Sequence, residues 1–188
     1  LIDGCEIVAL CENNEARAKW GLKEFGFTDA GINLPVFKDF DEFLEQNLDA
    51  VVIANYFHEH APFAIKALRA GKHVLCEKPL ALTREDLTAI IKAAEGANTK
   101  FMVGQVGRKT PAFILAKELV DAGEIGDLFF VESEYAHDYQ FMTKAWRWDP
   151  VNLRYSVIGG GCHAIDLLRW IAGNPTKVAA LANRKVLS

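Results

Sequence analysis

The chain of 188 residues has no excess of positive charge, no long apolar run and no paired-cysteine motif. Each absence closes a class of function. Lys and Arg number 21 against 25 Asp and Glu, a formal net charge of −4. A mildly acidic chain without a basic stretch is poorly suited to the phosphate backbone, so no nucleic-acid partner is expected. No apolar run approaches the ~18 residues that a bilayer span requires, so no membrane partner is expected either. The cysteines, Cys5, Cys11, Cys76 and Cys162, show no CxxC spacing. That pattern argues against a disulfide framework or a zinc site and suits reduced thiols. The opening LIDGCEIVAL shows neither a basic n-region nor a cleavage-site pattern, so the expected location is cytoplasmic.

What is present is an ordinary globular balance, 51% hydrophobic and 24% charged, which excludes wholesale disorder. Through the first hundred residues, short apolar runs alternate with segments of helical period. The run Ile7 to Cys11 reads as a strand buried on both faces, and Glu15 to Phe25 as a helix stopped by Gly26. A weak strand at Pro35 to Phe37 precedes an amphipathic helix bearing Phe40, Phe43 and Leu44. Ala50 to Ala54 is the clearest buried strand, with a helix from near Ala61-Pro62 to Gly71. His73 to Cys76 is the next strand. Thr83 caps a helix with Leu87, Ile90, Ile91 and Ala94 on one face, and Phe101 to Val103 closes this half. Five alternations imply a doubly wound parallel sheet of α/β class.

The pattern changes after Gly104. A helix from Pro111 to Ala122 is followed by a strand from Leu128 to about Tyr139. An aromatic loop (Trp146, Trp148), a helix opening at Gly159-Gly160-Gly161 and a strand-like stretch from Val178 to Val186 complete the chain. This half reads as part of an α+β domain, with the division at 104/105: residues 1–104 and residues 105–188.

In an open parallel sheet, ligands bind beyond the carboxyl ends of the strands. The residues there are Glu12-Asn13, Asn55 to His58, and Glu77-Lys78-Pro79. An acid at Glu12 suits the ribose hydroxyls of a dinucleotide and favours NAD over NADP; it equally suits a helix start. Lys78 can hydrogen-bond a substrate hydroxyl or hold a nicotinamide, or it is a surface turn. His163 opens the last helix and has the chemistry to take a proton from an alcohol, although a lone helix histidine is often merely packed. The glycines before it tilt the reading towards a ligand.

His58-Glu59-His60 is not H-E-x-x-H, and no metal site is expected. Trp146-Arg147-Trp148-Asp149 reads either as a stacking and phosphate clamp or as an aromatic plug. The one G-x-G-x-x-A match, Gly159 to Ala164, is rejected as a dinucleotide fingerprint, because no acid follows Asp166 to meet the ribose. The glycine loop that should precede Glu12 is expected upstream of Leu1.

The segments "CEKPLALT", "HAPFAIKALRAGKHV", "AKELVDAGEIG", the Trp-Arg pair and "GGGCHAIDLLRWIAG" resemble the Gfo/Idh/MocA oxidoreductases, the glucose–fructose oxidoreductase and inositol dehydrogenase family. The resemblance runs from about Glu6 to Gly173. It implies a Rossmann-type NAD(P)-binding domain followed by part of an α+β domain with a large open sheet, the latter carrying the substrate site and the homo-oligomer contact. By position, Glu12 resembles the ribose acid, and Asn55, Tyr56 and Phe57 replace the usual Thr-Pro-Asn turn beside the nicotinamide. His60 and Glu77 fall in the cofactor-binding motifs. Lys78 resembles the catalytic lysine, with Pro79 cis, and His163 the catalytic histidine. Trp146 and Arg147 resemble cofactor contacts. The family often places an Asp four residues before the histidine, where this chain has Gly159; Asp149 and Asp138 are the expected substitutes.

The expectation is an NAD-dependent dehydrogenase acting on a sugar, inositol or related polyol. The alternatives are a non-catalytic NAD- or sugar-sensing scaffold and an NAD-dependent elimination or glycoside cleavage.

Overall fold

The computed structural model describes residues 3–138 and 157–182. Within them, β1 (Leu10–Cys11), α1 (Glu15–Glu24), β2 (Val36–Phe37), α2 (Phe40–Leu44) and β3 (Ala50–Ile53) alternate. Then come α3 (His60–Arg69), β4 (His73–Cys76), α4 (Arg84–Glu95) and β5 (Phe101–Val103). Every strand pairing is parallel, β1 with β2 and β3–β4–β5 in that order, as alternating strands and helices require.

Local chemistry fixes the helix starts. The Asn14 side chain accepts from Arg17 N at 3.0 Å, and the Thr83 hydroxyl accepts from Asp86 N at 3.0 Å. Asp39 accepts from Asp41 N and Glu42 N at the start of α2. Such caps satisfy orphan amides and contribute about 1 kcal/mol each. The helix predicted from near Ala61 begins at His60, after a 3-10 turn at Phe57–Glu59.

The core lies on one face of the three-stranded sheet. Val51, Ile53, Val74 and Cys76 point into it against Ala64, Ala67 and Leu68 of α3 and Phe40, Phe43 and Leu44 of α2. Phe40 and Phe63 pack with ring centroids 4.4 Å apart. Full burial of a side chain such as Leu68 contributes about 1.5–3 kcal/mol.

Three expectations are corrected. The strands are not buried on both faces: Val52, Leu75 and Met102 are register partners on the opposite face and stay exposed. The sheet is also divided in two. The run from Ile7 shortens to Leu10–Cys11, with Ile7 and Val8 exposed. Among the described residues β1 has a ladder partner on one edge only, and a strand without a second neighbour has less to hold it extended.

Third, the stretch 128–138 forms no strand and Phe129 is fully exposed; no strand is assigned over 178–182 either. The rest of both predicted strands lies outside the described residues, as do Trp146, Arg147, Trp148 and Asp149.

Beyond β5 the chain makes a 3-10 turn at Val106–Lys109 and then α5 (Pro111–Asp121). A π-helical turn at Val157–Gly161, where a plain helix start was predicted, leads into α6 (Cys162–Ala172).

Candidate active site

The strand ends converge as the parallel topology dictates. A crevice of about 270 Å³ opens beyond β1 and β3, lined among others by Glu12, Arg17, Lys38, Asn55, Tyr56 and Glu59. Glu12 accepts from Asn14 N at 2.8 Å just ahead of α1, and it lines the crevice. Arg17 lies 3.4 Å from the Glu12 carboxylate. The same guanidinium donates to Tyr56 Oη at 3.2 Å and lies over the Tyr56 ring. Asn55 Oδ1 is buried without a hydrogen-bond partner on the crevice wall, a position that asks for a donor from a ligand.

Phe57 is buried, and its ring meets His60 edge-on at 5.8 Å. His60 is corrected from cofactor contact to loop tie. It is 1% exposed, and its ring spans Pro79 O (Nδ1, 2.7 Å) and Asn55 O (Nε2, 3.1 Å). Both nitrogens face backbone oxygens, and a neutral ring donates its single N–H to one of them. The imidazole joins the loop after β3 to the loop after β4.

The second loop carries Glu77 and Lys78, and the Lys78–Pro79 peptide is cis. The Glu77 carboxylate accepts from Lys78 N at 3.1 Å and packs on Gly104 at the end of β5. A Cβ at Gly104 would fall 3.2 Å from Glu77 Oε1, so any larger residue there would push the Glu77 carboxylate aside by a few tenths of an ångström. Beneath this loop Cys76 is fully buried, and burial pushes its thiol up to about 12. It is an inert core residue.

Lys78 Nζ donates to Gly159 O at 3.1 Å across 81 residues of sequence. The strand-end lysine therefore touches the turn from which α6 presents His163. The His163 ring is half-buried, with the Tyr135 ring 5.6 Å away. Burial first, and the Lys78 charge second, hold the imidazole below its ordinary value, while Glu77 and Asp166 oppose them. Glu77 and Asp166 are thus carboxylates that act on this ring. Asp149, expected in that role, lies outside the described residues.

Arg108, which sequence reasoning missed, grips Asp166 with two bonds of 2.7 Å each. No local spacing could have revealed a pair 58 residues apart.

A family model for an oxidoreductase family with an NAD-binding Rossmann fold matches residues 2–105, and one for the GFO/IDH/MocA C-terminal domain matches residues 113–187. The chain is 32% identical over 180 residues to levoglucosan dehydrogenase of Pseudarthrobacter phenanthrenivorans, covering 92% of this chain and 44% of that protein. It is 30% identical over 179 residues to inositol 2-dehydrogenase of Salmonella typhimurium, covering 94% and 49%. The structure of scyllo-inositol dehydrogenase from Lactobacillus casei with bound NAD(H) and scyllo-inositol superposes with a TM-score of 0.76 at 30% identity, over 92% of this chain and 50% of that one. The chain spans about half the length of these relatives. Two family models in tandem, with relatives of this identity over nine-tenths of the sequence, establish that the chain belongs to the Gfo/Idh/MocA oxidoreductase family.

Proposed function

We propose that the protein carrying this chain is an NAD-dependent oxidoreductase that moves a hydride between a nicotinamide and a sugar, inositol or related polyol. The bond from Lys78 Nζ to Gly159 O carries the reading, because it brings together the two candidate chemical groups that the sequence holds far apart. The relatives named for inositol and levoglucosan support a polyhydroxylated ring as substrate.

The crevice residues fit the cofactor. Glu12 offers acceptors to the adenosine ribose hydroxyls and repels a 2′-phosphate, which favours NAD over NADP. Asn55 Oδ1 lacks a donor that a bound amide would supply. Tyr56 faces the crevice with the buried Phe57 next to it in sequence, and Glu77 and Lys78 close the nicotinamide side; Trp146 and Arg147, outside the described residues, are the further cofactor contacts of this reading.

A bound nicotinamide supplies the acceptor for the carbinol hydride. His163 takes the hydroxyl proton, and its burial beside Lys78 keeps the ring in the neutral form that accepts one. Lys78 donates to the reacting oxygen as negative charge develops on it. Residues 1–104 hold the cofactor, and residues 105–188 begin the part that binds substrate and forms a homo-oligomer in the cytoplasm.

The test is a screen of sugars and polyols with NAD on the full-length protein, repeated with Lys78→Ala. The substitution lowers kcat/KM by about 10²-fold or more, the scale of one lost acid–base or electrostatic group, and changes NAD affinity far less. A protein that binds NAD and a sugar yet transfers no hydride is a sensing scaffold, and this reading then fails.

A further inference from the structure

We propose that Arg108 is a positioning residue for His163, acting through Asp166. Its guanidinium fixes the roll of α6 and pairs with a carboxylate whose charge acts on the imidazole. The proposal rests on His163 being the proton acceptor of the reaction above.

A set of contacts ties the turn after β5 to the helix that carries His163. Asp166 lies three residues after His163 on α6, one turn further along, and its side chain is 16% exposed. Arg108 Nε and Nη2 donate to different oxygens of Asp166, each at 2.7 Å. This fork-to-fork geometry sets orientation as well as distance, which a point charge cannot do. The guanidinium also lies 5.7 Å over the Trp170 ring, one turn beyond Asp166.

The neighbouring Gly107 is pressed against Leu167. A Cβ there would meet three Leu167 side-chain atoms at 3.2 to 3.3 Å. The turn Val106–Lys109 therefore touches α6 at residues 166, 167 and 170. That turn leaves β5 at Gly104, which packs on Glu77 beside Lys78. One short segment thus spans from the lysine loop to the histidine helix.

The groups around the imidazole give the device a sign. Lys78 and burial favour the neutral ring, while Glu77 and Asp166 favour the charged one. Tyr135, with His137 beside it, faces the ring, and the Cys162 thiol adjoins it in sequence. Arg108 holds both oxygens of Asp166, so releasing them strengthens the pull of Asp166 on the imidazole proton.

The experiment is an NMR titration of histidine ring carbons in the full-length protein, with His163 assigned from the signal lost in His163→Gln. Arg108→Met raises the midpoint of His163 and Asp166→Asn lowers it, each by about half a pH unit. A packing role alone would move both variants the same way or neither, and either result overturns the proposal. Should Arg108→Met fail to fold by circular dichroism, Arg108→Lys decides on the same sign with a smaller shift, since a lone ammonium cannot hold both oxygens. The titration needs neither cofactor nor substrate. A missing hydride transfer in the parent protein counts against the dehydrogenase reading alone.

Discussion

Single residues in this chain were legible as chemistry but not as partnerships. Lys78 and His163 stand out in sequence because a lysine at a strand end and a histidine behind glycines are unusual places for those groups. Nothing in their spacing says that Lys78 Nζ reaches Gly159 O. The partnership decides the pH behaviour. Burial and Lys78 together depress His163 against the opposing carboxylates. Oxidation of an alcohol needs the neutral ring, so kcat/KM in that direction should fall only on the acid side of a midpoint below the ordinary imidazole value of about 6.5. Reduction needs the protonated ring, so it should fade above the same midpoint. Rate profiles in both directions check this, and a shared midpoint above the ordinary value would refute the burial argument. His60 teaches the opposite lesson. Its motif suggests a ligand-binding group, yet both nitrogens meet backbone oxygens. Only the packing of two loops against one ring reveals a tie.

At the scale of elements, periodicity succeeded where an element is held by its own sequence. The helix α4 begins behind Thr83, the capping residue read from sequence, and α1 begins at Glu15 as its period indicates. Strands depend on neighbours that a local pattern does not contain. The apolar run Ala50 to Ala54 reads as the clearest buried strand. In β3, Val51 and Ile53 are 3% exposed and Val52 is 69% exposed. Ile53→Ala should therefore cost about 2–4 kcal/mol of unfolding free energy in the 188-residue chain. Val52→Ala should cost less than about 1 kcal/mol, as surface changes usually do. Urea unfolding of both variants checks the contrast; equal costs would mean that the outer face of β3 is covered in solution. The strand read from Leu128 is absent over 128–138 for the same reason, since an extended segment makes a strand only where another strand accepts the ladder. The three glycines before His163 promised a helix start and deliver a wider π turn, which exposes the Gly159 carbonyl to Lys78.

For the whole molecule, the count of strand–helix alternations yielded the parallel α/β fold, because crossover connections leave few other arrangements. The division of the sheet was not legible, since it depends on which strand edges meet. The same topology bears on cofactor affinity. A dinucleotide pyrophosphate is ordinarily received by free amides at a helix N-terminus, approached through glycine. Two backbone amides beside the crevice are already taken by carboxylates of the chain itself. Glu12 accepts from Asn14 N ahead of α1, and Glu59 accepts from Tyr56 N at 3.3 Å at the start of the 3-10 turn Phe57–Glu59. Both acids also line the crevice, so an incoming diphosphate would meet like charge where it needs donors. The 188 residues alone should thus recognise chiefly the adenosine ribose of NAD and leave its centre unpaired. Titration followed by tryptophan quenching should give a dissociation constant well above the micromolar range. Adenosine should bind nearly as well as NAD, because little is gained from the phosphates. Micromolar NAD binding with much weaker adenosine binding would show that one of these two carboxylates yields its amide to phosphate. Glu12→Gln and Glu59→Gln, tested separately, would then identify which one by the change in that ratio.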